Sequence, residues 1–101
     1  MERAEELREK VVGVLLPWGT KRIAVFGSMA RGEDSADSDV DILVELKEPG
    51  SRPPIGLKWF ALEQELGRLL GREVELVSAD ALSPYLRAQV EAEMVVLYEE
   101  E

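Results

Sequence analysis

The sequence predicts a single domain with an α/β or α+β layer fold, and three observations support this prediction. The chain has 101 residues, which is the size of one domain. It is 46% hydrophobic, which is enough to build a core. Short apolar runs typical of strands alternate along the chain with stretches of helical spacing, and such interleaving is the pattern of a layered fold.

The first half of the chain contains one predicted helix and two predicted strands. Leu7, Val11 and Leu15 recur at helical spacing, and Pro17 and Gly19 end that helix. A short apolar run bounded by glycine and a later alternating run are typical of strands. The elements expected here are a helix over 2–16, a strand over 23–26, a helical turn over 28–32, a polar loop over 33–38 and a strand over 39–45.

The second half begins with a hinge rich in proline and glycine. After it, apolar residues including Trp59 share one helical face, and Gly71 caps the helix. Ser83 and Pro84 form an N-cap signature for another helix. The elements expected here are a helix over about 55–70, a strand over 72–77, a helix from 84 to about 92 and a strand over 94–98, with continued helix as the alternative for the last segment.

Composition excludes several classes of chemistry. The chain has no cysteine and no histidine, so disulfide scaffolds, thiolate nucleophiles, histidine bases and imidazole metal ligands are all excluded. The net charge of −9 disfavours direct binding of nucleic acid. The remaining functional groups are carboxylates, hydroxyls, Lys and Arg, which favour an oxygen-ligated cation such as Mg²⁺.

The expected location follows from the same composition. No apolar run approaches the roughly 20 residues that a membrane span needs. The first residues are too acidic and polar for a signal peptide. We therefore expect a soluble cytoplasmic protein without a membrane partner.

Two aspartates open the second predicted strand. Asp39 and Asp41 alternate with apolar residues, so both carboxylates point to one face of the strand. Like charges side by side cost stability, and a divalent cation between them reverses that cost. The alternative is a solvated strand start, because aspartate is common where a loop enters a strand.

Gly27 and Ser28 follow the first predicted strand. Glycine at a strand end lets a ligand approach the backbone, and a serine that opens a helical turn presents its hydroxyl and free amides. This arrangement suits phosphate, although an ordinary turn is the alternative. Ten residues separate Ser28 from Asp39, a gap that allows both motifs to lie at one edge of a sheet. A phosphate cradle and cation-binding carboxylates would then share a pocket.

Residues 27–32 and 38–44 together resemble the minimal nucleotidyltransferases of the DNA polymerase β superfamily. The resemblance covers the glycine and serine, the gap, both aspartates and the flanking apolar strands, and the order of elements matches over nearly the whole chain. It implies an α+β nucleotidyltransferase fold over residues 1–101, with a small mixed β-sheet packed against helices on one side.

The family takes a third carboxylate from a neighbouring strand, and the resemblance implies Glu75 for this role. Glu73 points to the same face by alternation, so spacing alone does not choose between the two. Glu75 is favoured because apolar residues on both sides place it in mid-strand, whereas Glu73 lies at the solvated end. Family members more often have aspartate at this position.

The resemblance also implies a Mg²⁺-dependent transfer of AMP from ATP. Asp39, Asp41 and Glu75 would bind two Mg²⁺ ions, and Glu75 is in addition the implied acceptor of the hydroxyl proton. Gly27 and Ser28 would hold the phosphates. Arg31 is open between neutralising phosphate charge and forming a structural salt bridge with a nearby acid.

The antitoxins of this family pair with small helical HEPN ribonuclease toxins, so the resemblance implies such a toxin as the partner and one of its tyrosines as the acceptor. A negative charge of −9 suits a partner with a basic surface. Two alternatives stay open. One is modification of a small molecule such as an aminoglycoside, in a pocket between subunits of a homo-oligomer. The other is a non-catalytic antitoxin that blocks its partner by binding.

Overall fold

The computed structural model describes residues 2–32 and 39–100, with side chains from residue 5 onward. The polar loop expected at 33–38 lies outside the described residues. The described helices and strands are α1 (Glu2–Leu15), β1 (Thr20–Phe26), α2 (Ser28–Arg31), β2 (Val40–Leu46), α3 (Lys58–Leu70), β3 (Val74–Ser78), α4 (Pro84–Glu93) and β4 (Val95–Glu99).

The strands form one mixed sheet in the order β3-β2-β1-β4. β1 pairs antiparallel with both β2 and β4, whereas β2 and β3 run parallel. The helix α2 follows β1 in the connection between the two antiparallel strands, and the helix α3 lies in the crossover between the parallel strands. This topology confirms the small mixed sheet that the resemblance implies.

The main core lies on the face of the sheet that α1 and α3 cover. Apolar residues of α1 and α3 are fully buried there because their helical spacing gives each helix one apolar face. Residues of all four strands point toward them, alternating along the two central strands β1 and β2. The buried members of this cluster are Val11, Leu15, Ile23, Val25, Val40, Ile42, Val44, Leu62, Leu66, Leu76 and Leu97.

A smaller cluster occupies the opposite face. Ala24 and Leu43 are buried there together with Ala79, and they contact Val90 of α4 and Met94. The principal helical layer is therefore one-sided, as expected, while the short helix α4 covers part of the other face. This second face also carries Asp41, because Asp41 and Leu43 are two residues apart on β2.

Pairing explains where the observed elements differ from the expected ones. β1 begins at Thr20 rather than at residue 23, because Thr20 and Arg22 pair with residues of β2. The helix α3 begins at Lys58, three residues later than expected, after prolines and a glycine with a φ of +43°. The final segment is a strand, not continued helix, since it pairs along β1. Trp59 packs against the main core, as the apolar face predicts.

No helix among residues 2–32 and 39–100 is both long enough and apolar enough to cross a bilayer.

Candidate active site

The carboxylates predicted to act together lie on adjacent strands. In the parallel register of β2 and β3, Asp41 lies directly opposite Glu75, and in the antiparallel register of β1 and β2 it lies opposite Phe26. Paired residues on neighbouring strands point to the same face of a sheet. Asp39 immediately precedes β2 and is exposed. The sheet therefore brings the side chains of Asp41 and Glu75 together, with Asp39 beside them.

The register also distinguishes the two glutamates that spacing left open. Glu73 lies before β3, where its carbonyl oxygen accepts a hydrogen bond of 2.9 Å from the backbone N–H of Val40. Glu75 lies inside β3 and its side chain acts directly on the ionisation of Asp41. Geometry thus places Glu75, rather than Glu73, next to Asp41. Its role as the third carboxylate stays a prediction.

Gly27 brings the predicted phosphate turn against Asp41. The residue has a φ of +73° and a ψ of −148°, a conformation that side chains disfavour. A Cβ at this position would lie 2.5 Å from Oδ2 of Asp41, so only a glycine allows the turn to approach this carboxylate. Ser28 follows at once and begins α2, and Gly32 ends that helix with a left-handed conformation. The Gly-Ser bend and Asp41 are therefore in contact, as the spacing of the two motifs predicts.

The surroundings of Asp41 raise its pKa. Partial burial raises the pKa of Asp41, and the negative charges of Glu75 and Asp39 raise it further. A side-chain hydrogen bond with Glu75 acts in the same direction, whereas the positive charge of Arg31 lowers the pKa. Each of these charges has to be close to Asp41 to act on it. The site is thus a concentration of negative charge that a cation would relieve.

The donor set fits Mg²⁺ in its chemistry. Carboxylate oxygens are the hard ligands that Mg²⁺ prefers. Burial, and after it the negative charges of Glu75 and Asp39, raise the pKa of Asp41, and a shared cation would neutralise those charges. Within the described part of the chain, no three carboxylates are gathered closely enough to form a complete metal site by themselves. Mg²⁺ commonly keeps several waters and takes further oxygens from substrate phosphates. A partial set of protein ligands is therefore compatible with this ion.

Arg31 lies beside the bend and pairs with a residue that sequence reasoning missed. Its Nη1 lies 3.3 Å from both carboxylate oxygens of Glu93, the last residue of α4. The backbone N–H of Gly27 also donates to Oε1 of Glu93, at 3.4 Å. Glu93 is 62 residues from Arg31 along the chain, so no local spacing could have indicated this contact. The salt-bridge alternative for Arg31 is therefore present in the structure.

A second group of charges attaches α4 to the sheet. Nη2 of Arg22 lies 3.1 Å from Glu45 and 2.9 Å from Glu91. Arg87 reaches the same two acids at 3.5 Å and 2.9 Å. Glu45 follows Asp41 and Leu43 on the same face of β2. This network holds α4 over the strand that carries Asp41.

Comparisons with known proteins show what the chain as a whole resembles. A family model for a nucleotidyltransferase domain matches residues 4–97. Protein adenylyltransferase MntA of Thermococcus cleftensis is 42% identical over 91 residues, which cover 90% of this chain and 81% of that protein. A solved structure of a candidate minimal nucleotidyltransferase is 40% identical, with a TM-score of 0.76 over 93% of this chain and 92% of that one. A crystal structure of a toxin-antitoxin with AMP-PNP has a TM-score of 0.78 at 25% identity, over 93% and 74% of the two chains.

Proposed function

The chain belongs to the nucleotidyltransferase domain family, and we propose that it transfers AMP from ATP to a tyrosine hydroxyl of a partner HEPN ribonuclease toxin and so acts as its antitoxin. The family and the nucleotidyltransferase fold agree with the resemblance found in the sequence. The observation that carries the proposal is the contact between the Gly27 bend and Asp41, with Glu75 opposite Asp41 on the next strand.

AMP as the transferred group is supported by what the chain resembles. The Thermococcus cleftensis relative is named as a protein adenylyltransferase, and the toxin-antitoxin structure holds AMP-PNP, an analogue of ATP. Both proteins match most of this chain, including the segments that build the site. A tyrosine acceptor and a HEPN partner come from the family resemblance in the sequence.

The proposed reaction is an in-line displacement at the α-phosphorus of ATP. The acceptor oxygen forms a bond to this phosphorus, the bond from it to the oxygen bridging to the β-phosphorus breaks, and diphosphate leaves. With no histidine in the chain, a carboxylate is the available base, and we assign the acceptor proton to Glu75, an assignment supported by its position opposite Asp41 on the next strand. Gly27, Ser28 and Arg31 would bind the phosphates through backbone N–H groups, a hydroxyl and a guanidinium.

Asp39, Asp41 and Glu75 would hold Mg²⁺, two ions by the family resemblance. When bound, Mg²⁺ supplies positive charge that neutralises the triphosphate and stabilises the oxygens of the displacement. The raised pKa of Asp41 supports this assignment in that burial, its largest cause, is followed by repulsion from Glu75 and Asp39, which a cation among them would relieve.

A transfer assay tests the proposal. The chain is incubated with ATP labelled at the α-phosphate, Mg²⁺ and a HEPN toxin encoded beside it, and the position of the label is determined by mass spectrometry. We expect AMP on a tyrosine of the toxin, no transfer when Mg²⁺ is chelated, and a loss of at least about 100-fold for Asp41→Asn. The matched control is Glu65→Gln, which removes a charge from the exposed side of α3, away from the site.

Three outcomes would contradict the proposal. Label on an aminoglycoside rather than on the toxin would indicate a small-molecule substrate. Tight binding of the toxin without any transfer, unaffected by Asp41→Asn, would indicate a non-catalytic antitoxin. Equal transfer by Asp41→Asn and Glu65→Gln would remove Asp41 from the active site.

A further inference from the structure

We propose that Glu93 lowers the affinity of the chain for nucleotide, because in the free chain its carboxylate accepts from two of the donors assigned above to the nucleotide phosphates, the backbone N–H of Gly27 and the guanidinium of Arg31. The inference rests on the proposed function, which assigns Gly27 and Arg31 to those phosphates. Glu93 is not among the groups that this function places on the nucleotide or the metal. Its role would be to compete with the nucleotide.

Among the described residues, Glu93 makes hydrogen bonds with Gly27 and Arg31, two of the residues assigned to the nucleotide phosphates. Nη1 of Arg31 donates to both of its carboxylate oxygens at 3.3 Å, and the backbone N–H of Gly27 donates to Oε1 at 3.4 Å. The side chains of Arg31 and Glu93 are 46% and 36% exposed, so a ligand from solvent can reach both partners. The carboxylate therefore lies where an anion would be bound.

Carboxylate and phosphate oxygens are acceptors of the same kind for guanidinium and backbone N–H groups. A nucleotide phosphate that takes Arg31 and Gly27 must displace Glu93 from them, and it must also approach against the charge of Glu93. Distances of 3.3–3.4 Å are at the long end of the range for hydrogen bonds. These contacts are weak enough to be exchanged for a phosphate, yet they lower the apparent affinity while they persist.

Glu91, on the same helix, makes a different set of contacts. Its carboxylate lies 2.9 Å from Arg22 and 2.9 Å from Arg87. Neither arginine is among the residues assigned to the nucleotide phosphates. The two acids at the end of α4 therefore make separate contacts. Glu91 pairs with the arginine of β1 and so attaches the helix to the sheet, whereas Glu93 contacts Gly27 and Arg31. Glu91 supplies a matched control, since its removal changes the net charge equally.

The test measures binding of a non-hydrolysable ATP analogue with Mg²⁺ by calorimetry, which needs no partner and no turnover. We expect Glu93→Gln to bind the analogue about 3- to 10-fold more tightly than the wild type, and Glu91→Gln to bind it about equally. A salt bridge with a purely structural role would weaken binding or leave it unchanged when lost. Glu93→Asp keeps the charge but has a shorter side chain, so its gain in affinity for the analogue should be intermediate. This variant replaces Glu93→Gln in the test if Glu93→Gln melts at a much lower temperature than the wild type.

Arg31 supplies the second half of the test. In a chain that already carries Arg31→Ala, adding Glu93→Gln should change affinity by less than in the wild type, because the competition acts largely through Arg31. Unchanged or weaker binding by both Glu93 variants overturns the inference while leaving the proposed function intact. A wild-type chain that does not bind the analogue overturns the proposed function, and the inference with it.

Discussion

At Gly27 a backbone turn and a carboxylate meet more closely than any side chain permits. The residue combines a φ of +73° with a position at which a Cβ would lie 2.5 Å from Oδ2 of Asp41. Gly32, at the other end of α2, has the same φ of +73°, but no atom of the described residues lies within 4 Å of its Cβ position. A substitution at Gly32 therefore introduces backbone strain alone, whereas a substitution at Gly27 introduces the same strain together with steric contact with Asp41.

Gly27→Ala should reduce AMP transfer by at least about 100-fold, because the new methyl group displaces Asp41 or the bend. Gly32→Ala adds only the backbone strain of a left-handed alanine, on the order of 1–2 kcal/mol of unfolding free energy, and should retain most of the activity. Transfer assays and thermal melts on both variants check this. Equal activity of the two would mean that the contact with Asp41 does not matter for the reaction.

The fold raises the pKa of Asp41, so ionisation of this carboxyl group costs more free energy in the folded chain than in the unfolded chain. Burial and the neighbouring carboxylates raise its pKa above the value in the unfolded chain, so the folded chain holds this proton more tightly. Between the unfolded and the folded pKa the folded state binds more protons, and stability falls as the pH rises through that window. At neutral pH the ionised carboxylate therefore lowers the free energy of unfolding.

Asp41→Asn should accordingly raise Tm at pH 7 by a few degrees while it abolishes transfer. The gain in Tm over the wild type should shrink as the pH falls toward the pKa of Asp41 in the unfolded chain. The wild-type carboxyl group is then protonated and, like the amide of Asn, carries no charge. Melts across this pH range, with Glu65→Gln as the control, measure the effect. A variant less stable than the wild type at pH 7 would show that the repulsion is already relieved in the free chain.

At the scale of elements, ion pairs attach α4 to the sheet beneath the site. Arg22 is the centre of this network, since its side chain is only 15% exposed and lies between Glu45 and Glu91. Its Nε is buried and has no hydrogen-bond partner among the residues that the structure describes, so the contacts of the network are made by the terminal nitrogens. Removing Arg22 from this partly buried set leaves the acids with less compensating charge, which costs more than the loss of an exposed pair.

Arg22→Met should therefore lower Tm by roughly 5–10 °C, since it leaves Glu45 and Glu91 beside each other with less positive charge. The comparison is Lys47→Met, which removes the exposed pair between Lys47 and Glu100 at 2.7 Å and should change Tm little. Melting curves recorded by circular dichroism check both. Similar shifts for the two variants would contradict a special role for the buried network.

The molecule as a whole carries a net charge of −9, and this charge bears on its proposed partner. A basic toxin surface would be attracted over distances of about 10 Å at ordinary ionic strength. We expect the association rate with the toxin to fall by about tenfold between 50 and 500 mM NaCl, while the dissociation rate changes much less. Stopped-flow or surface-binding measurements test this. A salt-independent association rate would mean that net charge does not steer the encounter.

Much of this molecule follows from local pattern. Helical and alternating spacing predicted every described helix and strand to within about three residues, because burial of one face imposes its period on the sequence. Gly27, Ser28, Asp39 and Asp41 were identifiable because a close turn and a pair of oxygen ligands each require particular residue types. The start of β1 at Thr20 was missed, since cross-strand pairing, not hydrophobicity, extends that strand.

What the sequence alone determined is therefore the set of elements and the two halves of the site, each readable within a short window. Tertiary structure decided which residues complete it. The register of β2 and β3 puts Glu75 opposite Asp41, while its role as the third carboxylate stays a prediction, and the placement of α4 brings Glu93 to Arg31 and Gly27. Contacts between residues more than 30 positions apart depend on how strands and helices dock, and no periodicity within one element encodes that docking.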